Sequence, residues 1–278
     1  MFEIIYENNN VYIKNIKTFN LAQTLDCGQA FRWRETENGI WQGVAFGRLL
    51  KLEKTADGTV ILYNTAKEDF QNLWRGYFDL ERNYDEIISK ISTNNVLKTA
   101  AEYGYGIRVL NQEPWETLCS FIISQNNNIT RIKGIIERLC ENFGEDKGGY
   151  FTFPTAETVA ALTLNDLAVL RAGFRAKYIL DAALKVSSGE IDLSSLSSLP
   201  TDDARKELMK IKGVGPKVAD CALLFSHRHT SAFPRDVWIN RAMDKLFDGN
   251  LPKEAEEFAG IVQQYIFYYA RETKLSID

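Results

Sequence analysis

The sequence predicts an α+β protein: an N-terminal antiparallel β-sheet domain with flanking helices over residues 1–110, then an all-helical domain over 111–278. Three observations carry this. From Phe2 to about Tyr63, β-branched and aromatic residues recur at short range with turn residues between them. After about Asn64 the apolar period changes to 3.6 and stays there. The length, 278 residues, exceeds the usual single-domain size, so two compact units are expected.

In the first unit the clearest piece runs from Gly43 to Leu52, turns through Thr55-Ala-Asp57-Gly58 and returns over Thr59–Tyr63, which predicts a hairpin closed at Asp-Gly. After about Asn64, helices are expected near 67–75, 83–92, 114–124, 129–142, 155–161, 164–171, 175–187, 201–211, 216–226, 236–247 and 252–273. Gly144, Gly173, Gly189 and Gly213 follow helices, and Pro114 and Pro252 start them. No internal repeat is visible, and the one biased stretch is the Ser-rich link 187–198.

Composition narrows the class. With 45% hydrophobic and 12% aromatic residues the chain is globular. It lacks both a run of about eighteen uncharged apolar residues and a basic, then apolar, amino terminus, so a soluble intracellular monomer with no membrane partner is expected. Cys27, Cys119, Cys140 and Cys221 are widely scattered without a Cys-x-x-Cys pair, which predicts four reduced, mostly buried thiols. The net charge of −4 argues against a nucleic-acid partner, yet between Arg205 and Lys245 nine basic residues face four acidic ones, a local excess of +5 able to attract phosphate.

That window holds the strongest motif. An amphipathic helix from 201 leads into Lys212-Gly213-Val214-Gly215, and a second helix starts at Pro216. Two glycines let the backbone turn tightly and approach a phosphate oxygen, while the following helix offers unpaired N–H groups to the same anion. Such hairpins also occur in proteins that only bind DNA. Lys217, directly after Pro216, faces the positive end of the helix dipole, which disfavours its cationic form; partial burial acts the same way. A neutral amine can attack a sugar carbon. A solvated phosphate contact fits the hairpin equally well.

Nineteen residues on, Phe233-Pro-Arg-Asp236-Val-Trp238 places Asp236 where a helix should begin. As N-cap it is held ionised and fixed in direction. The same carboxylate can stabilise the positive charge that develops on a deoxyribose when its base departs.

Together, Gly213-Val-Gly-Pro-Lys217-Val-Ala-Asp and the Pro-x-Asp at 234–236 resemble the helix-hairpin-helix, Gly/Pro-Asp superfamily of DNA glycosylases. Within it, the chain from about Leu25 to Phe267 resembles the 8-oxoguanine DNA glycosylases with a TBP-like β-rich first domain. The resemblance makes Lys217 and Asp236 catalytic and Gly213 and Gly215 DNA-binding. In Cys27-Gly28-Gln-Ala-Phe-Arg-Trp33, otherwise readable as strand core, it makes the Gly28 carbonyl the acceptor for the N7 hydrogen that only the oxidised base carries.

It makes Asn126, in a run that by itself marks a helix boundary, the filler of the gap left by the extruded nucleotide. Arg131 and Arg175 would read the estranged cytosine, and Phe174, where better-known members carry tyrosine, would wedge into the stack. Gln263 and Phe267 share a face of the last helix, beside an apparent core stripe of Phe258, Val262, Tyr265 and Tyr269. The pair would bond and stack on the flipped base, with Cys221 opposite. Trp238 stands where many relatives have a histidine near a phosphate, which puts that DNA contact in doubt. His227 and His229 are expected at the surface.

The implied reaction is bifunctional: excision of 8-oxoguanine opposite cytosine in double-stranded DNA through a lysine Schiff base, then β-elimination, in base excision repair. No cofactor is required, and the carbonyls of Met209, Ile211 and Val214 are a candidate seat for a monovalent cation. The compartment would be cytoplasm or nucleoid in a bacterium and nucleus in a eukaryote. Two rivals are a monofunctional alkylated-base glycosylase, which lacks the lysine, and a non-catalytic helix-hairpin-helix module, which has no use for Asp236 or the Gln263/Phe267 face.

Overall fold

A computed structural model describes residues 2–275. Its first unit is an antiparallel sheet of β1 (Glu3–Glu7), β2 (Asn10–Lys14), β3 (Trp33–Glu35), β4 (Trp41–Ala45), β5 (Arg48–Lys54) and β6 (Val60–Tyr63), in the order β1-β2-β6-β5-β4-β3. Alternation sorts the faces, burying Val11, Ile13, Leu50, Leu52, Val60 and Leu62 on one side. The turn at Asp57-Gly58 forms where expected, the Asp57 carboxylate accepting from the Thr59 backbone N–H (3.2 Å). The expected single strand Gly43–Leu52 is instead two, β4 and β5. Phe46 and Gly47, with φ of +52° and +70°, make a two-residue reversal whose backbone twist suits a tight hairpin.

Between β2 and β3 lies a short helix, α1 (Leu21–Leu25), capped by the Asn20 side chain. A helical run over 67–77, composed of α2 (Lys67–Asp69), a π turn (Phe70–Trp74) and α3 (Arg75–Tyr77), lays Phe70, Trp74 and Tyr77 on the sheet. Next come α4 (Tyr84–Ile91) and α5 (Asn95–Tyr103). Neither α1 nor α5 is anticipated by the periodicity. Each starts at an asparagine whose side chain accepts backbone N–H bonds, a residue equally at home in a turn.

The helical body continues with α6 (Pro114–Ser124), α7 (Ile129–Phe143), α8 (Ala156–Ala160), α9 (Ala176–Ser187), α10 (Thr201–Leu208), α11 (Pro216–Ser226), α12 (Val237–Leu246) and α13 (Ala259–Thr273). The segments expected near 164–171 and 252 onward begin as 3₁₀ turns at Asp166–Leu170 and Lys253–Phe258. Helices α6 and α11 pack together and are buried nearly all round, as central helices of a bundle must be. The α4–α5 pair packs with the helical core, α5 lying against α13, while the sheet core gathers Val11 to Leu80 and then Leu110. By packing, the two units part near residue 80. Among the described residues no helix is long and apolar enough to cross a membrane.

All four cysteines are buried free thiols. His227 is not at the surface: it is 4% exposed, with Nε2 3.0 Å from the Leu193 carbonyl and Nδ1 2.9 Å from Ser226 Oγ. It ties the end of α11 to the Ser-rich link. Burial lowers its pKa below the ordinary 6.5. The unfolded chain therefore binds the proton first, and the stabilising contribution of His227, complete above about pH 6.5, is lost on acidification. Thermal unfolding at about pH 7.5 and about pH 5.5 should show a larger drop in midpoint for the native chain than for His227→Asn; equal drops would refute this.

Candidate functional site

The hairpin between α10 and α11 is fixed from behind. Gly213 has φ +81°, and a Cβ there would stand 2.4 Å from Cδ2 of Tyr178 on α9. On the same helix, Asp181 accepts from the Lys212 backbone N–H (2.7 Å) and Lys185 Nζ donates to the Lys210 carbonyl (2.8 Å). Arg205 on α10 pairs with buried Asp220 on α11 (2.6 Å), locking the two helices. Gly215, the cap residue of α11, has open space around its Cα. One glycine thus serves packing and the other leaves the backbone approachable.

The basic excess of this window is smaller in space than in sequence. Arg205, Lys206 and Lys210 are engaged by Asp202 and Asp220, by Asp203 and by Glu207 respectively. Arg241 lies over the Trp238 ring at 5.6 Å.

Lys217 occupies the first turn of α11 and is half-buried. Its Nζ donates to Ser124 Oγ (3.3 Å), at the end of α6, and sits 5.2 Å from the centre of the Phe121 ring. Cys221 is one turn farther along and 3% exposed. Burial pushes its thiol up to about 11, while the charge of Lys217 pulls it down and those of Asp220 and Asp236 raise it. Asp236 caps α12 as expected, Oδ1 accepting from the Ile239 N–H (2.8 Å).

Helix α13 carries the next layer. Gln263 is 4% exposed, and its Nε2 donates to the carbonyl of Pro234, two residues before Asp236 (3.1 Å). The stripe expected beside it is broader in fact. Residues 259–266 are buried on every side, and Phe258 lies before the helix. Gly28, at φ +99°, sits with its Cα side toward α13: a Cβ would lie 3.7 Å from Phe267 Cε1 and from an Arg271 nitrogen, and 3.8 Å from Ile129 Cδ1. Arg271 also donates to the Cys27 carbonyl (3.0 Å). The fold therefore gathers Gly28, Gln263 and Phe267 with Cys221, Lys217 and Asp236 around one region, although they span both units.

A second group borders it. Asn126 is exposed with φ +47°, Asn127 bonds the Ile123 carbonyl and Asn128 caps α7, on which Arg131 is exposed. Phe174 is 47% exposed, edge-on to Tyr178 with centroids 5.8 Å apart and beneath the Arg175 guanidinium. Arg175, by contrast, is only 3% exposed and donates to the carbonyls of Gln125, Asn126 (2.8 Å) and Ala172 (3.1 Å). It ties the asparagine loop to the wedge. A separate cleft of about 470 Å³ beside β4 and α7, lined by Arg34, Gln42, Lys133 and Tyr150, holds none of the residues expected to act. Ser124, Phe121, Gln264 and Arg271 escaped the sequence reading in their present roles.

The two hairpin glycines should respond differently to alanine. Gly213→Ala should cost about 2 kcal/mol or more through strain and the collision with Tyr178, read as a lower unfolding midpoint. Gly215→Ala should keep the midpoint and weaken binding to a DNA duplex severalfold, read by fluorescence anisotropy.

Comparison with known proteins identifies the family. Residues 11–118 match the model of the 8-oxoguanine DNA glycosylase N-terminal domain, and residues 119–264 that of the HhH-GPD superfamily of base excision DNA repair proteins. The Clostridium acetobutylicum 8-oxoguanine glycosylase/lyase, solved with double-stranded DNA containing cytosine opposite 8-oxoguanine, is 40% identical with a TM-score of 0.90, over 99% of each chain. MBOgg1, solved with a low-affinity DNA ligand, is 43% identical over 99% of each chain, TM-score 0.91. The Saccharomyces cerevisiae N-glycosylase/DNA lyase is 32% identical over 80% of this chain and 66% of its own length. On these matches and this site, the chain belongs to the HhH-GPD superfamily of base excision DNA repair proteins, in the branch that carries the 8-oxoguanine DNA glycosylase N-terminal domain.

Proposed function

We infer that this protein is a bifunctional DNA glycosylase and lyase of base excision repair that removes 8-oxoguanine opposite cytosine through a Schiff base on Lys217. The observation that carries the reading is a half-buried first-turn lysine on α11, together with a buried α13 amide bonded two residues before Asp236 and an α13 aromatic ring beside a glycine of the β-rich unit. A DNA-binding module needs only the hairpin.

The Lys217 Nζ lone pair forms a bond to the anomeric carbon as the glycosidic C–N bond breaks, and the base leaves with that electron pair. Asp236, held by its cap bond, stabilises the positive charge that builds on the sugar. Loss of the amine proton and ring opening give the Schiff base. Removal of a proton from the adjacent sugar carbon then expels the 3′ phosphate.

Gly28 offers its carbonyl to the N7 hydrogen of the lesion, Phe267 stacks on the base and Cys221 closes the other face. Asn126 and Phe174 fill and wedge the stack, while Arg131 and Arg175 face the cytosine. For Arg175 this requires exchanging carbonyl partners for the base. Gly213, Gly215 and the neighbourhood of Trp238 hold phosphate, and the carbonyls of Met209, Ile211 and Val214 would hold a monovalent cation beside it; no cofactor takes part in the chemistry. The protein works as a monomer on double-stranded DNA, in the cytoplasm or nucleoid of a bacterium or the nucleus of a eukaryote.

Borohydride should trap a covalent complex with an 8-oxoguanine:cytosine duplex, and Lys217→Gln should abolish it; trapping that survives would overturn the nucleophile assignment. Asp236→Asn preserves a good cap and should slow single-turnover excision about 10²- to 10³-fold with duplex binding retained. For partner choice, Arg131→Ala should cut the preference for cytosine over adenine opposite the lesion about tenfold, measured as the ratio of the two excision rates.

A further inference from the structure

Gln263 is followed in α13 by Gln264, also 4% exposed, and the two amides form part of one directional chain. Gln263 Nε2 donates to the Pro234 carbonyl (3.1 Å), Gln264 Nε2 donates to Gln263 Oε1 (2.6 Å), and Cys27 Sγ donates to Gln264 Oε1 (3.7 Å). Each link dictates the next. A backbone carbonyl only accepts, so the end of Gln263 facing Pro234 must be its NH2 and the end facing Gln264 its oxygen. Gln264 must answer with NH2, which turns its own oxygen to the Cys27 thiol. Burial pushes that thiol up to about 11, so it keeps a proton to donate. The Cys27 sulfur also lies 3.6 Å from the Thr24 carbonyl.

Gln263 is left with one N–H and one lone pair for a ligand. The order in which it shows them matters for purines. A guanine-type edge presents N1–H beside a C6 carbonyl, whereas an adenine-type edge presents an N1 lone pair beside an amino group. The two edges require opposite amide orientations, and a glutamine free to rotate could serve either.

We propose that Gln264 is a positioning residue which, anchored by Cys27, acts with the Pro234 carbonyl to hold the Gln263 amide in the orientation that reads guanine-type edges and so rejects 8-oxoadenine. This rests on the reading of Gln263 as the base contact. It also joins the two units in one act of recognition, because Cys27 lies directly beside Gly28.

The test is single-turnover excision from duplexes with 8-oxoguanine or 8-oxoadenine opposite cytosine, together with cleavage of an abasic duplex, which has no base to read. Gln264→Met, similar in length but without the bonds, should narrow the 8-oxoguanine to 8-oxoadenine rate ratio about tenfold and leave abasic cleavage within about twofold. A parallel fall of all three rates, or an unchanged ratio, overturns the proposal. Should Gln264→Met not fold, Cys27→Ala and Cys27→Ser decide: the serine hydroxyl should restore a ratio that the alanine loses, and equal ratios refute the anchor. Gln263→Met separates the two levels. If it leaves 8-oxoguanine excision unchanged, the base-contact reading fails and the proposal with it; if it lowers excision while both residue-264 and residue-27 variants keep the native ratio, the positioning role alone fails.

Discussion

Everything at the site depends on a buried polar clasp between the two units. Gln29, next to Gly28, is fully buried: its Nε2 donates to the carbonyls of Thr24 and Arg108 (both 2.8 Å), and its Oε1 accepts from Leu110 N–H (2.9 Å). Arg108, 1% exposed, spreads its guanidinium over the carbonyls of Thr18, Phe78, Asp79 and Arg82 and stacks on Tyr84 at 4.2 Å. A buried arginine is tolerated only when its donors are satisfied, and carbonyls do that here. A half-satisfied version would leave uncompensated polar groups in both cores, so the arrangement admits little slippage. Gly28 inherits that rigidity.

The hairpin obeys a related economy. On the proposed reading, its grip on phosphate would come from backbone N–H groups and a helix terminus more than from side-chain cations, since Arg205, Lys206 and Lys210 are tied to neighbouring carboxylates. An acidic protein can therefore hold DNA without a large positive surface. Tyr178 links the hairpin to the wedge, since one face meets Gly213 and its ring meets Phe174 edge-on. Backbone grip and base-stack wedge are thus mounted on one helix.

Much of this was legible in the chain. Closely spaced β-branched and aromatic residues and Asp57-Gly58 located the sheet; the 3.6 period, with proline and glycine punctuation, located most helices. Lys217 and Asp236 stand out because their motif is local and a lysine in the first turn of a helix is electrostatically unusual. What could not be read was long-range. Lys217 meets Ser124 across 93 residues and Cys27 meets Gln264 across 237, separations on which periodicity has no bearing. His227 gives no hint of burial because one of the groups that hold it is a backbone carbonyl 34 residues away. Arg175 likewise looks like a free cation until the carbonyls of residues 125 and 126 arrive beside it. At α5 and at the Phe46-Gly47 turn the local signal itself is ambiguous, an asparagine cap and a non-standard turn pair.

The burial of all four sulfurs has a consequence for where such a protein can operate. Burial lifts Cys27 and Cys221 to about 11 and Cys140 to about 12, with Cys119 raised further still. Peroxides attack thiolates, and these groups are thiols shielded from solvent at neutral pH. With its sulfurs buried and protonated, the protein offers a peroxide no exposed thiolate to attack.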